Sequence, residues 1–298
     1  MTVLVTGASG LIGRHTVEAL VERGESVRTF QRGEPTHARV EHVAGDVRTD
    51  TAALCVAARG CRAIVHLAGR GDVGESRRDP AGYALLNATG ALHAIEAARG
   101  SGAVFVLASS QRVYPLGPER LKEQSALAPD SPYGYAKWVA ELWCRMASEQ
   151  FGVTTTVLRF FSVYGPGQQA NGGSGVVSIF ANAALAGEPL IVQSAGRRDF
   201  TDASDAARGI VLALEHAVDG KHHVYNIATG VGTTFEELAR RVVELSGSTS
   251  PVDVCRADEP GQDLVADVSR ASNELGYAPR IDLRTGVSRY VEWLRRSA

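Results

Sequence analysis

Residues 3–13 read VLVTGASGLIG, an aliphatic run broken by Gly7, Gly10 and Gly13. A strand that stops at Gly7, turns, and restarts as a helix needs glycine at this spacing. One allows the tight turn, one opens the backbone to a pyrophosphate, and one lets helix and sheet approach closely. The helix start then offers unpaired N–H groups and the positive end of its dipole to phosphates. Few sequence features restrict a fold as strongly, because this one commits the chain to a parallel sheet with crossover helices.

The rest of the chain follows that commitment. Strand-like runs occur at 3–7, 26–31, 40–45, 63–69, 103–110 and 154–161, and amphipathic segments separate them, the pattern of βαβ units. In IGRHTVEALVERG, Val17, Leu20 and Val21 share a helical face and Gly24 suits the left-handed cap. Segments 79–100 and 131–151 read as longer helices. Beyond residue 165 comes the glycine-rich loop GPGQQANGGSG, then candidate helices at 175–187, 203–216, 233–246 and 283–296, with short strands near 190–193, 223–228 and 252–255. The expectation is an α/β chain: a Rossmann-type doubly wound parallel sheet over 1–165, and a smaller α/β substrate-binding lobe over 166–298 that also returns segments to the sheet.

With 298 residues, 44% of them hydrophobic, the chain can bury one large core or two unequal lobes. A formal charge of -2 gives no footprint for nucleic acid or an anionic membrane. Cys55, Cys61, Cys144 and Cys255 form no C-x-x-C pair, so neither a metal site nor a disulfide framework is expected, only mostly buried free thiols. No apolar run approaches the ~20 residues that span a bilayer. A soluble, cytoplasmic protein with small-molecule partners is expected.

The end of the second strand selects the cofactor. A carboxylate there would accept from a ribose 2′-hydroxyl and repel a 2′-phosphate. This chain has Gln31 followed by Arg32, and a guanidinium suits a phosphate, so NADP is expected ahead of NAD. Asp46 follows the third strand and is expected to meet the adenine through its side chain or the adjacent backbone.

The stretch SPYGYAKWVAE, residues 131–141, holds two tyrosines near one lysine. Ser131 and Pro132 suit a helix start. Tyr133 and Lys137 then lie one turn apart on one face. Tyr135 falls on the other side with Val139, Trp143 and Met146, a core or interface stripe. A phenol titrates near ~10, and a neighbouring ammonium would lower that value, making Tyr133 a proton donor and acceptor at an alcohol oxygen. Ser110, at the carboxyl end of the fifth strand, lies where ligands bind in such sheets. His66 reads as a structural histidine, His222 and His223 as a solvated turn, and Tyr83 and Tyr114 as packing.

On the stretches TGASGLIG, GDV, HLAG, DPAGYALLNATGALHAIEAAR, SSQRVYP, SPYGYAKWVAE, RFFSVYGPGQ, RRDFTDASDAARG, YNIATG and LGYAPRIDLRTGV, nearly its whole length, the chain resembles the extended short-chain dehydrogenase/reductases. These are NAD(P)-dependent epimerases, dehydratases and reductases of nucleotide sugars. The resemblance implies a substrate-orienting hydroxyl at Ser110, a general acid/base at Tyr133 and its partner at Lys137. It also implies cofactor contacts from Gly7, Ser9, Gly10, Leu11, Ile12, Gln31, Arg32, Asp46, Val47, Leu67, Ala68, Asn87, Tyr133 and Lys137.

The departures from the family pattern are informative. Family dehydratases carry an acidic pair directly after the catalytic hydroxyl, whereas this chain has Gln111 and Arg112, which disfavours dehydration. Ser162 replaces the asparagine of RxFNxYG, Arg198 keeps a phosphate-facing arginine, and Arg256 and Asp263 stand for a blurred R-x-G-D element. Members commonly dimerise through the helix of residues 131–151, so a homodimer is expected. Three readings follow: an NADPH-dependent 4-ketoreductase of a nucleotide-activated hexose, an NAD-dependent 4-epimerase, and a non-catalytic dinucleotide sensor. The intact Ser110, Tyr133 and Lys137 argue against the last.

Overall fold

A computed structural model of the chain describes residues 1–35, 37–117, 119–169, 175–217, 220–255 and 262–297. The first half supplies β1 (Thr2–Thr6), α1 (Leu11–Glu22), β2 (Ser26–Gln31), β3 (Glu41–Ala44), α2 (Thr51–Ala58) and β4 (Cys61–His66). Then come α3 (Val73–Arg78), α4 (Pro80–Tyr83), a π-helical turn (Ala84–Thr89), α5 (Gly90–Ser101), β5 (Val104–Ser110), α6 (Pro132–Phe151) and β6 (Thr155–Phe160). The second half adds β7 (Val163–Tyr164), α7 (Val176–Ala186), β8 (Leu190–Val192), β9 (Arg197–Asp199), β10 (Thr201–Asp202) and α8 (Ala203–Glu215). It continues with β11 (His222–Ile227), β12 (Gly232–Thr234), α9 (Phe235–Ser246), β13 (Val252–Val254), α10 (Ser269–Leu275) and α11 (Leu283–Ser297).

Seven strands form one sheet in the order β11-β6-β5-β4-β1-β2-β3, and every pairing is parallel. A parallel sheet must be covered on both faces, and this one is. Val17 and Leu20 of α1 join Ile210 and Leu214 of α8 on one face. Leu54 of α2, Ile95 of α5, and Ala140 and Cys144 of α6 cover the other. The order reverses between β1 and β4, which opens a crevice at their carboxyl ends.

Three local departures from the sequence reading have physical causes. Segment 79–100 is not one helix. Asp79 caps a first turn by accepting from Gly82 N at 2.9 Å, and the π-helical turn at 84–89 inserts a residue that buries Asn87, the kind of bulge common at functional sites. His222 and His223 are not a solvated turn but open β11. Thr155 Oγ1 lies 2.8 Å from His222 Nδ1, and burial lowers the His222 pKa to about 4. Of the four cysteines, Cys61 and Cys144 are buried but Cys55 and Cys255 are exposed.

The chain after β7 builds a separate apolar cluster in which Phe180 of α7, Leu238 and Val242 of α9, and Tyr290 of α11 pack together. From this side β11 returns to the main sheet beside β6, its Tyr225, Asn226 and Ile227 all buried. Among the described residues no helix is long and apolar enough to cross a membrane.

Candidate active site

A cleft of about 530 Å³ runs from the glycine turn after β1, across the ends of β4, β5 and β6, to α7 and the start of α9. At its sheet end Gly7 takes φ 68°, and a Cβ there would lie 2.5 Å from Ala68 N. A Cβ on Gly13 would lie 2.2 Å from Gly7 O. Both positions therefore exclude any side chain. Gly10 differs: its only close neighbour would be Gly7 O at 3.3 Å, and it lines the cleft. No side chain caps α1 at Gly10, so its first-turn N–H groups are available to a phosphate. The geometry fits a dinucleotide pyrophosphate.

Leu11, Ile12 and Leu67 line the same cleft. Ser9 is exposed, its carbonyl accepting from Arg14 Nε at 2.9 Å, and Ala68 N donates to Thr6 Oγ1 at 3.3 Å. The adenosine-side candidates lie beyond the cleft. Gln31 is buried, with Nε2 donating to Glu34 O at 2.6 Å and Oε1 lacking a partner. Arg32 is exposed. The Asp46 carboxylate is committed to Arg48 at 2.6 Å, which lowers its pKa to about 2. Its side chain is thus already paired, which leaves the adjacent backbone as the second of the two routes by which the sequence brings Asp46 to the adenine. Val47 is buried, with its carbonyl 2.8 Å from His93 Nδ1. Asn87 Oδ1 accepts from Arg70 N at 3.2 Å, while Nδ2 lacks a partner.

At the reacting end, Ser131 caps α6 by accepting from Gly134 N at 3.3 Å. Tyr133 and Lys137 are both buried, whereas Tyr135 is 53% exposed, so the face assignment separates the tyrosines and Tyr135 is not core. Ser110, at the end of β5, accepts from Arg112 N at 3.2 Å and lines the cleft with Tyr133 and Lys137.

The electrostatics differ from expectation in one respect. Burial raises the Tyr133 pKa, while a hydrogen bond with Ser110 and the charge of Arg112 pull it down. Lys137 is not what depresses it: its Nζ donates to Ala108 O at 2.8 Å, and burial lowers its own pKa to about 8 against the opposing charge of Glu141.

Beneath these residues lies a buried network that the sequence reading missed. Ser109 donates to Glu141, Arg159 Nη2 pairs with Glu141 Oε2 at 2.6 Å, and Arg159 Nη1 donates to Tyr114 Oη at 2.8 Å. It locks the end of β5 to α6. Its signal was the four-residue step from Lys137 to Glu141, which places both on one helical face. Tyr114 and Tyr83 are buried, as packing residues should be. His66 sits with Nδ1 2.9 Å from Thr6 Oγ1, and its pKa falls to about 3 through burial and the nearby Lys137. That suits a neutral structural histidine.

At the far end Arg198 lines the cleft over Phe235, 5.2 Å from its centroid, and burial with the charge of Arg112 lowers its pKa to about 10. Ser162 also lines the cleft. It adopts φ 27° and accepts from Gln111 Nε2 at 2.9 Å. Asp263 instead turns its Oδ1 to Arg197 N at 2.6 Å, and Arg256 lies outside the described residues. The sequence reading did not place Arg112, Phe200 or Phe235 in the cleft, where all three stand.

The sequence signature of the NAD dependent epimerase/dehydratase family matches residues 3–228. A putative UDP-glucose 4-epimerase of Methanocaldococcus jannaschii is 29% identical over 99% of both chains. Among solved structures, the UDP-glucose 4-epimerase of Thermotoga maritima with UDP-glucose superposes with a TM-score of 0.90 at 29% identity, covering 100% of this chain and 99% of the other. The protein MoeE5, complexed with UDP-glucuronic acid and NAD, gives a TM-score of 0.91 at 30% identity over 100% of both chains. The bound dinucleotide in that neighbour is NAD, so NADP loses its place as the leading cofactor. With the glycine turn, the sheet order and the Ser110, Tyr133 and Lys137 cluster in place, the chain belongs to the NAD dependent epimerase/dehydratase family.

Proposed function

We propose that the chain is an NAD-dependent 4-epimerase of a nucleotide-linked sugar. The observation that carries this reading is the makeup of the cleft: Ser110, Tyr133 and Lys137 converge beside the glycine turn, and no Asp or Glu is among the described residues that line it. Dehydration needs an acid and a base next to the sugar, and Gln111 and Arg112 stand there instead. The 4-epimerase names and the NAD of the similar proteins favour this alternative over the NADPH-dependent ketoreductase expected first.

When bound, NAD would supply the acceptor and then the donor of the carbon-4 hydride. In its phenolate form Tyr133 Oη would take the proton of the 4-hydroxyl as the alcohol becomes a ketone, and return it once the sugar presents its other face. Ser110, bonded to the same phenol, orients the oxygen and stabilises the phenolate. Lys137, held by Ala108 O, reaches the nicotinamide ribose. Gln31 Oε1, buried without a partner, accepts from a ribose hydroxyl on the adenosine side. Residues 1–165 hold the dinucleotide and 166–298 mainly the sugar nucleotide, with Arg198 at the diphosphate.

The assembly is a cytoplasmic homodimer built on α6, where Tyr135 and Leu142 are exposed and Val139 and Met146 half-buried at helical spacing. The test incubates the purified protein with UDP-glucose, UDP-galactose or UDP-glucuronate and no added cofactor. Interconversion at carbon 4 is expected. No interconversion of these three alcohols, together with NADPH-dependent reduction of a supplied nucleotide-linked 4-keto-sugar, would return the reading to the ketoreductase.

A further inference from the structure

The charged residues lining the cleft are all cations: Arg70, Arg112, Lys137 and Arg198, with no acid among the described lining residues. Three of them are accounted for. Arg70 pairs with Asp79 at 3.2 Å and Glu75 at 3.5 Å. Lys137 is held by Ala108 O, and Arg198 lies at the Phe235 end. Arg112 has only a long contact, 3.5 Å, to Asp130, and its place is fixed by its own backbone. Its N–H donates to Ser110 Oγ at 3.2 Å. Its carbonyl abuts Gly134, where a Cβ would come within 2.4 Å of it. Arg112 is thus anchored on both Ser110 and the turn that carries Tyr133, and Tyr133 feels its charge.

We infer that Arg112 selects a nucleotide-linked hexuronate, pairing its guanidinium with the sugar carboxylate at carbon 6. The inference rests on the 4-epimerase reading, which puts carbon 4 at Ser110 and Tyr133. A group anchored beside both reaches the substituents of the neighbouring carbons, 3 and 5. In an intact hexopyranose only the exocyclic carbon 6, borne by carbon 5, can stand at the carboxylate level. A planar guanidinium takes a carboxylate through two parallel charge-assisted bonds, and a cleft without acids offers no competing partner inside it. Gln111 completes this wall, with Nε2 tied to Ser162 and Oε1 left to accept from a sugar hydroxyl.

The test compares wild type, Arg112→Ala and Arg112→Lys on UDP-glucuronate and UDP-glucose, all with NAD, reading the ratio of kcat/KM for the two sugars. A charge-assisted pair predicts that wild type favours the hexuronate by about tenfold to a hundredfold. The ratio should fall towards one in Arg112→Ala and be partly kept in Arg112→Lys. Calorimetric binding of both sugar nucleotides to the NAD-loaded proteins reads the same discrimination without turnover. A wild-type preference for UDP-glucose overturns the inference. So does an Arg112→Ala that weakens both substrates equally, since that places Arg112 on the diphosphate. If Arg112 discriminates in binding but neither sugar is epimerised, the 4-epimerase reading falls and the carboxylate site stands. If both are epimerised without discrimination, only the carboxylate site falls.

Discussion

Replacing Glu141 by Met tests the network that holds β5 against α6. The Glu141 and Arg159 side chains are 6% and 4% exposed, and three contacts of 2.6, 3.0 and 3.2 Å join them. Removing Glu141 leaves Arg159 its Tyr114 Oη and Glu123 O acceptors at 2.8 and 2.9 Å. Both are uncharged, so the guanidinium loses its directly bonded counter-charge and keeps only the more distant Glu123 carboxylate. Breaking such a pair from one side costs about 3–5 kcal/mol, whereas replacing both partners with apolar groups of similar volume is often neutral. At about 2–4 °C per kcal/mol for chains of somewhat smaller size, Glu141→Met should lower the thermal midpoint by roughly 6 °C or more. The double variant Glu141→Met with Arg159→Met should recover most of that loss. Differential scanning fluorimetry on the four proteins of the cycle measures this. If the two single losses simply add in the double variant, the network carries no coupling and the argument fails.

Tyr133→Phe should retain NAD while turnover falls by about 10²–10⁴, the range for a lost general acid/base, and Tyr135→Phe, at an exposed ring, should be mild; equal losses in stopped-time epimerase assays would undo the face assignment. Lys137, whose folded pKa of about 8 lies below its ordinary 10.5, destabilises the unliganded fold. The penalty is fully present below pH 8 and is relieved as pH rises from about 8 to 10.5, so Lys137→Met should raise the thermal midpoint at pH 7 while weakening NAD binding, a trade-off absent if its role is structural. Arg32→Ala should leave NAD affinity within about twofold, because Arg32 is exposed and outside the cleft; a tenfold loss by fluorescence titration would put it on the cofactor. Leu142→Glu should dissociate the dimer, and light scattering showing a wild-type monomer at micromolar concentration would remove that interface.

The features readable from sequence were those set by backbone periodicity and by local turns. β1 and its glycine turn, α1 with its Val17, Leu20 and Val21 face, and the Tyr133 to Lys137 step on α6 depend on neighbours within one or two turns, and the structure places them as the spacing implied. The short β7, β9, β10 and β12 escaped notice because they lack the branched aliphatic residues at both ends that marked the equally short β8 and β13; long-range pairing forms them, as when Arg198 lies opposite Thr233. The π-helical turn at Asn87 was likewise invisible, since one inserted residue leaves the apolar pattern of 79–100 almost unchanged.

Partner choice among charges was the least readable property of the site. Asp46 and Arg32 were matched with parts of the cofactor, yet Arg48, two residues from Asp46, captures the carboxylate because a bidentate pair at that spacing costs little chain entropy. Lys137 was matched with the Tyr133 phenol, yet burial draws its ammonium to the Ala108 carbonyl, a partner that no side-chain pattern announces. Arg112 was read only as a missing acid. What the fold adds is direction: the turn after β5 is pinned by Ser110 on one side and Gly134 on the other, so replacing a carboxylate at this position does more than remove a base. It puts a cation where the family's dehydratases keep a carboxylate base, and on the 4-epimerase reading that charge is the one proposed to meet a carbon-6 carboxylate.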